Sequence, residues 1–202
     1  MSVAIIDYGM GNVASVLKAL NYLNIPGKVS KDFTEIEQAK YIILPGVGSF
    51  QQGINNLKEN GLFDFLTQQV QEKKKPFLGV CLGMQLIATR GTEPYDCEGL
   101  GWIDGDVIKI EAPGKRVPHL GWNNITPKSE KYFSNLTNTD FYFIHSYHFR
   151  VTDKQAIAAT VNYGEDLVAC VQKDNIFATQ FHPEKSQESG LNLLKNFFEL
   201  NA

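Results

Sequence analysis

The sequence predicts an α/β fold: a mostly parallel sheet with helices on both faces and an antiparallel addition in the second half of the chain. Two observations predict it. In the first half, short apolar runs rich in Ile, Val and Leu alternate with stretches whose apolar residues recur at helical spacing. In the second half, strand-like runs follow one another with little helical spacing between them. Repeating strand–helix units bury a parallel sheet between two helical layers.

The first half contains four predicted strands and four predicted helices. A Gly9-Met10-Gly11 turn follows the first strand, and Pro45 ends the third strand because proline has no N–H for a sheet ladder. Asn60-Gly61 interrupts the third helix. The predicted strands cover residues 3–8, 28–31, 41–44 and 77–80, and the predicted helices cover residues 13–23, 34–39, 51–74 and 82–89.

The second half is predicted to be mainly β-structure, closed by one amphipathic helix over residues 190–200. Asp174-Asn175 is a suitable hairpin turn between the last two strands. The predicted strands cover residues 106–111, 124–126, 141–151, 157–162, 167–173 and 176–181.

The composition fits a single domain over residues 1–202, with 43% hydrophobic residues and a net charge of −3. Because Lys and Arg are scattered, the charge pattern argues against nucleic acid or an anionic membrane as a partner. No basic segment precedes an apolar stretch, and no apolar run approaches the ~18 residues of a membrane span, so we expect a chain that is neither secreted nor membrane-spanning. Three cysteines without a C-x-x-C pair predict reduced thiols in the cytoplasm and no metal or cofactor site.

The segment GVCLG at residues 79–83 carries the strongest chemical signal. It joins a predicted buried strand to a predicted helix, and a nucleophile flanked by glycines in this position is typical of a nucleophile elbow. A thiol at Cys81 would lie near a helix N-terminus, which favours the thiolate. The pentapeptide alone fits a buried cysteine that closes a strand equally well. Cys97, among acidic residues, and Cys170, in an apolar strand, are less suited to be nucleophiles.

A cysteine nucleophile needs a base and a group that orients the base. His182 and Glu184 end a predicted strand, where residues i and i+2 point to the same face, so the carboxylate can hold the imidazole. Both Cys81 and His182 follow strands, and sites in open α/β sheets lie beyond the carboxyl ends of the strands. Taken alone, His182 is more typical of an ordinary histidine at a strand end; together with Glu184 and Cys81, the catalytic interpretation is favoured.

A third segment, LPGVG at residues 44–48, also follows a strand. Its two glycines permit a close backbone approach or a peptide flip, so the loop could supply an oxyanion N–H. Taken alone, it is more typical of an ordinary turn.

These three segments in this order resemble the class I (triad) glutamine amidotransferases, whose pattern is a PG-x-G loop, a G-x-C-x-G elbow and a terminal HPE. The resemblance spans essentially the whole chain. It implies a flavodoxin-like sheet and glutaminase activity. It also implies the following roles: Cys81 as nucleophile, His182 as general acid and base, Glu184 as the residue that orients His182, Val47 and Leu82 as oxyanion donors, and Gly46, Gly48, Gln85, Ser146 and Tyr147 as substrate contacts. Without the resemblance, Gln85 would be interpreted as an exposed polar residue of a helix.

Within the family, four further stretches resemble the glutaminase subunits of imidazole glycerol phosphate synthase. They cover residues 7–12, 118–123, 143–148 and 184–186, and Leu120 stands where methionine is expected. The resemblance implies a heterodimer with a (β/α)₈-barrel cyclase, which receives the ammonia and switches the glutaminase on. A chain of 202 residues cannot hold both parts. Trp122 and Asn123 are the expected contacts with that partner, although Trp122 also fits a half-buried core residue.

Two other classes of protein remain open at this point. A cysteine peptidase or related hydrolase would share the elbow and the histidine, and a binding module without catalysis would use Cys81 structurally. Closer alternatives are the glutaminase subunits that serve pyridoxal phosphate or anthranilate synthesis.

Overall fold

The structure is a computed structural model, and it describes residues 2–202. Within this range the strands are β1 (Val3–Ile6), β2 (Gly27–Ser30), β3 (Tyr41–Gly46), β4 (Phe77–Cys81), β5 (Ala88–Gly91), β6 (Cys97–Glu98), β7 (Ile103–Lys109), β8 (His119–Pro127), β9 (Asp140–His145), β10 (Tyr147–Val151), β11 (Ile157–Asn162), β12 (Asp166–Lys173) and β13 (Ile176–Thr179). The α-helices are α1 (Val13–Tyr22), α2 (Phe33–Gln38), α3 (Phe50–Glu59), α4 (Leu62–Thr67), α5 (Leu82–Gln85) and α6 (Gln187–Leu200). A π-helical turn, Gln68–Glu72, continues α4, and a 3₁₀ turn, Pro183–Lys185, precedes α6.

The strands form one large and one small sheet. The large sheet has nine strands in the order β2-β1-β3-β4-β13-β12-β11-β8-β9. The five strands from β2 to β13 are parallel to one another, and from β13 to β9 neighbouring strands are antiparallel. The predicted α/β class, with a parallel sheet and an antiparallel addition from the second half, is confirmed. The small sheet has four strands in the order β10-β7-β5-β6.

Both faces of the parallel region are covered, as the apolar runs in the sequence predict. Along β1, Ala4 and Ile6 belong to one buried cluster, whereas Val3 and Ile5 belong to another on the opposite face. The first cluster includes apolar residues of α3 and α4, and the second includes apolar residues of α1 and α6. Alternate residues of one strand therefore serve two helical layers, which explains why the strand has no polar face.

Several predicted boundaries are wrong. The strand predicted over residues 124–126 is part of the longer β8, and the strand predicted over residues 176–181 ends at Thr179. In three further cases tertiary pairing decides. Strand β3 continues through Pro45 to Gly46 because it stays in register with β4. The helix predicted over residues 82–89 ends at Gln85, and residues 88–91 form β5, which pairs with β7. The single strand predicted over residues 141–151 is two strands, β9 and β10, which belong to different sheets.

The register of the parallel strands fixes the position of the candidate site. Gly46 at the end of β3 is level with Cys81 at the end of β4, and Thr179 at the end of β13 is level with Val80. The loops that follow β3, β4 and β13 therefore leave the sheet side by side, at the edge where α/β proteins bind ligands. Within residues 2–202, no helix is both long and apolar enough to cross a membrane.

Candidate active site

Cys81 lies in a strained turn between β4 and α5. Its backbone has φ +54° and ψ −108°, a conformation that residues with a side chain rarely adopt. Glycine is needed on both sides of the turn because the backbone there lies too close to its neighbours to leave room for a side chain. A Cβ atom on Gly83 would overlap the carbonyl oxygen of Leu44 in β3, and one on Gly79 would lie 2.8 Å from the Gly83 oxygen. The G-x-C-x-G spacing thus places a thiol at the end of the strand, as an elbow requires.

His182 and Glu184 form a buried pair after β13. His182 Nδ1 lies 2.8 Å from Glu184 Oε1, and both side chains are only 2% exposed. The contact assigns the Nδ1 proton to the hydrogen bond with the carboxylate and directs Nε2 elsewhere. Nε2 has no hydrogen-bond partner among the described residues, and Cys81 is its neighbour in the same pocket.

The charges in this cluster favour a protonated imidazole. Burial lowers the pKa of His182, but the interactions with Cys81 and Glu184 outweigh burial and raise the pKa to about 10. An imidazolium at neutral pH is the natural counter-ion of a thiolate. Burial raises the pKa of the other two thiols, Cys97 and Cys170, as expected for cysteines that are poor nucleophiles.

A cavity of about 400 Å³ opens above Cys81, within the range of small-molecule sites. It is lined by Val47, Gly48, Ser49, Cys81, Leu82, Gln85, Glu93, Pro118, Ile144, His145, Ser146, Tyr147 and His182. Eight of the predicted site residues therefore line this single pocket.

The other four predicted residues lie outside the pocket wall. Gly46 is buried beneath it, where a Cβ atom would meet the hydroxyl of Tyr8 and the side chain of Leu82. Glu184 lies behind His182. Trp122 and Asn123 lie on β8; Trp122 is 49% exposed, and Asn123 donates hydrogen bonds to His119 and to the Asn162 carbonyl.

Gln85 is buried, with 4% exposure, and is not the exposed helix residue of the alternative interpretation. Its Nε2 lies 2.9 Å from the Tyr147 carbonyl oxygen and 2.9 Å from Gln180 Oε1. Gln180 is fully buried, and its Nε2 lies 3.9 Å from Cys81 Sγ. Sequence reasoning missed Gln180, although the i, i+2 argument that pairs His182 with Glu184 also places Gln180 on the side of His182.

Glu93 is a second pocket residue that sequence reasoning did not assign to the site. Among the described residues that line the pocket it is the one with an acidic side chain, and its carboxylate accepts a hydrogen bond of 3.2 Å from the Phe50 N–H. Burial raises the pKa of this carboxyl group, and the hydrogen bond from Phe50 opposes the effect. Glu93 lies in a connection without a periodic pattern, so no spacing in the sequence signals its position.

A chain of hydrogen bonds connects β8 to the pocket through two histidines. His145 Nδ1 donates to the Tyr147 carbonyl oxygen at 2.8 Å, because a carbonyl can only accept. His145 Nε2 is then the acceptor for His119 Nδ1 at 3.0 Å, and His119 Nε2 accepts from Asn123 at 3.2 Å. The carbonyl of Tyr147 thus sets the tautomers of both neutral rings.

Both rings are held neutral by burial. Burial first, and then the charge of Lys115, lowers the pKa of His119 to about 4. Burial also lowers the pKa of His145 to about 3, against the opposing effect of its hydrogen bond to Tyr147. Protonation of either ring would remove an acceptor nitrogen from the chain of hydrogen bonds.

Comparison with known proteins agrees with this chemistry. A strained cysteine turn faced by a His–Glu pair defines a class of enzymes that transfer acyl groups through a thiol. The family model for glutamine amidotransferase class-I matches residues 4–200, and the chain belongs to this family.

Individual relatives are similar over nearly their whole length. The imidazole glycerol phosphate synthase subunit HisH 2 of Pseudomonas aeruginosa is 46% identical over 201 residues, which cover 98% of this chain and 99% of that protein. The subunit HisH of Caldanaerobacter subterraneus is 44% identical, with 98% of each chain covered. A crystal structure of a glutamine amidotransferase superimposes with a TM-score of 0.77 at 22% identity, covers 98% of each chain and supports the fold.

The two neutral histidines predict a stability that declines in mild acid. In the unfolded chain the pKa of each histidine is about 6.5. Between about pH 6.5 and pH 4 both histidines are therefore protonated in the unfolded state but neutral in the folded state. Each histidine therefore contributes stability above this window that is lost as the pH falls. His182 has the opposite sign: its raised pKa contributes stability that is lost as the pH rises from 6.5 towards 10.

Urea unfolding at pH 5 and at pH 7.5 tests this assignment with the variant His119→Gln. Glutamine can still donate to His145 and accept from Asn123, but it does not titrate. We expect the free energy of unfolding of the variant to fall less between pH 7.5 and pH 5 than that of the unmodified chain, by ~1 kcal/mol. Identical pH dependences would contradict a neutral, buried His119.

Proposed function

We propose that this chain is the glutaminase subunit of an imidazole glycerol phosphate synthase. It hydrolyses L-glutamine to glutamate and ammonia, and the ammonia passes to a cyclase subunit that makes imidazole glycerol phosphate and the aminoimidazole carboxamide ribonucleotide AICAR in histidine biosynthesis. The observation that carries the proposal is the strained Cys81 turn facing the His182–Glu184 pair in a pocket of suitable size. Relatives with this name, 41–46% identical over nearly the whole chain, support the assignment.

The geometry supports a two-step reaction through a thioester. The Cys81 thiolate attacks the side-chain amide carbon of glutamine, and the C–N bond breaks as His182 gives its proton to the departing ammonia. Water then attacks the thioester; His182 takes a proton from it, glutamate leaves, and the thiolate re-forms. Glu184 stays ionised and holds the imidazole through the 2.8 Å hydrogen bond to Nδ1.

The backbone around the thiol is placed to stabilise the negative oxygen of the intermediate. Val47 follows Gly46, which is level with Cys81, and Leu82 is the first residue of α5. We assign their N–H groups as the oxyanion donors. Loss of one such donor typically slows a reaction by ~10²–10³-fold, so we assign the orientation of the Val47 peptide, next to Gly48 (φ +112°), as the control point for the partner.

The pocket offers matching groups to each end of glutamine. Glu93 is the anionic wall residue, and we assign it to the α-ammonium group. Gly48, Ser146 and Tyr147 flank the space for the amino-acid head group. Gln85 uses its Nε2 within the protein, so its Oε1 is the atom left for the substrate.

An exposed apolar patch next to the pocket fits the partner subunit. Leu120 and Ile144 are directly opposite each other in the β8–β9 ladder and are 59% and 42% exposed. Trp122, two residues along β8, lies on the same face, opposite Tyr142. Because Ile144 also lines the pocket, a protein docked on this patch would cover the pocket entrance and receive the ammonia directly.

Three further parts complete the assignment: the domain, the fold of the partner and the compartment. The single domain over residues 1–202 is supported by a family match that covers residues 4–200. The (β/α)₈ barrel of the cyclase is the partner fold that the resemblance implies. A nucleophilic thiol and two further free cysteines suit the reducing cytoplasm.

The alternatives differ in what they act on. A glutaminase subunit for pyridoxal phosphate or anthranilate synthesis would share the pocket but not the partner, so purification with candidate synthase subunits and an assay of glutamine-dependent product formation distinguishes them. A cysteine peptidase would cleave peptides and ignore free glutamine. A binding module without catalysis would show no selective alkylation of Cys81.

Replacement of the nucleophile should separate the two halves of the synthase reaction. In the complex with the cyclase, Cys81→Ala should lower glutamine-dependent synthesis by about 10⁴-fold or more, because no thioester can form. Synthesis from added ammonium salt should be unchanged, since the cyclase performs that chemistry. Cys97→Ala is the matched control and should retain both activities; equal loss of both activities in Cys81→Ala would mean that Cys81 is structural.

The partner face has its own test. Trp122→Glu places a charge within the exposed apolar patch, so the affinity for the cyclase should fall by about 30-fold or more, as for a typical interface hot spot. Leu200→Glu, at the exposed end of α6, is the control and should bind normally. Isothermal titration calorimetry measures both affinities, and unchanged binding by Trp122→Glu would place the interface elsewhere.

A further inference from the structure

Gln180 lies beside the nucleophile but is not one of the three triad residues. It directly follows β13, whose last residue, Thr179, is level with Val80, the residue before Cys81. Its backbone N–H donates to the Ala169 carbonyl at 2.8 Å, and its side chain is fully buried. The sheet therefore fixes both the position of the side chain and its isolation from water.

The orientation of the Gln180 amide follows from one backbone carbonyl. The Tyr147 carbonyl oxygen can only accept, so Gln85 must present its Nε2 there, at 2.9 Å. The same Nε2 donates to Gln180 Oε1 at 2.9 Å. The remaining end of the Gln180 amide, Nε2, then faces Cys81 Sγ at 3.9 Å. If either amide were flipped, two donors or two acceptors would face each other, so the direction of the chain is determined.

We propose that Gln180 is a further catalytic residue of the glutaminase, whose side-chain N–H stabilises the Cys81 thiolate. The proposal rests on the glutaminase function for its role in turnover. The contact between Gln180 and Cys81 does not depend on that function, because it is present in the isolated chain.

The donor acts at two points of the reaction. Before substrate attack it favours the thiolate over the thiol, because a charged acceptor strengthens and shortens a hydrogen bond. The distance of 3.9 Å is long for an N–H···S contact, so we expect it to shorten when the sulfur is charged. In the second step, water adds to the thioester carbon, the C–S bond breaks, and its electron pair returns to sulfur. Gln180 then stabilises the departing thiolate.

Other titratable groups also face the thiol or its pocket. They are His182, Tyr8, His145, Tyr147 and Glu93. Tyr8 remains a neutral phenol, because burial and then the charge of Cys81 raise its pKa. None of these groups changes in the variants described next, so a change in the reactivity of the thiol can be assigned to Gln180.

Alkylation of Cys81 by iodoacetamide between pH 4 and pH 9 tests the proposal in the full chain without glutamine. Peptide mass mapping gives the rate for Cys81 alone. Gln180→Met keeps the volume of the side chain but removes the donor, so the rate on the acidic side should fall about tenfold, with the midpoint of the profile moved to higher pH. Gln69→Met is the matched control: Gln69 is equally buried, lies in the π-helical turn outside the pocket, and should leave the profile unchanged.

A second variant tests the proposal if Gln180→Met does not fold. Gln180→Glu preserves the acceptor for Gln85 and replaces the donor by a carboxylate, so the midpoint should move still further to higher pH. Circular dichroism checks the fold of each variant. An alkylation profile identical to that of the unmodified chain, in a folded Gln180→Met or Gln180→Glu variant, would overturn the proposal.

The same variants distinguish this proposal from the proposed function. In the complex with the cyclase, Gln180→Met should lower kcat for glutamine by about tenfold or more. If the unmodified chain has no glutaminase activity but the alkylation profile still shifts, the glutaminase function fails and the contact stands. If the unmodified chain is an active glutaminase and neither the profile nor kcat changes in the variant, the role of Gln180 fails alone.

Discussion

The contact between the backbones of β3 and α5 is the constraint on which the rest of the site depends. Gly83 touches the Leu44 carbonyl oxygen so closely that no side chain fits between them. The chain can make this approach only if the preceding turn is sharp, and Cys81 accordingly adopts its unfavourable backbone conformation. Such strain costs ~1–3 kcal/mol and persists only where surrounding packing imposes it. Here the packing comes from the buried strands on both sides of β4.

The polar groups around the thiol are ordered by the same sheet. β13 is parallel to β4, and Gln180 and His182 follow β13 at the edge of the sheet where Cys81 ends β4. On the other side, the Tyr147 carbonyl accepts from both Gln85 and His145. This oxygen therefore joins two hydrogen-bonded chains, one that ends at Cys81 and one that ends at Asn123, close to the apolar patch. One acceptor, the Tyr147 carbonyl, therefore determines which end of each neutral amide and imidazole donates a hydrogen bond.

Much of this site could be predicted from the sequence because its parts are local. The G-x-C-x-G spacing is required by a turn of five residues. The predicted His182–Glu184 contact forms between residues two apart in sequence, although Glu184 lies in a 3₁₀ turn and not in the strand that the argument assumed. The fold class followed from the change of pattern between the two halves. These features need no knowledge of distant contacts.

The features that were missed depend on distant contacts. Residues 88–91 form a strand because β6 and β7 pair with them, and Ser146 separates two strands that belong to different sheets. Glu93 reaches the pocket from a connection without periodicity, and the direction of the Gln180 amide depends on Gln85 and Tyr147, which lie 95 and 33 residues away in sequence. Local propensity carries no information about such pairs.

Covalent labelling with a glutamine analogue tests the central claim most directly: that Cys81 is a thiolate nucleophile in a glutamine pocket. The reagent carries a diazoketone in place of the side-chain amide and reacts with a thiolate held beside it. With the cyclase present, we predict that the adduct forms on Cys81 and not on Cys97 or Cys170, and that free L-glutamine protects against it. An adduct on another cysteine, or labelling of Cys81 at the same rate with and without glutamine, would contradict the claim.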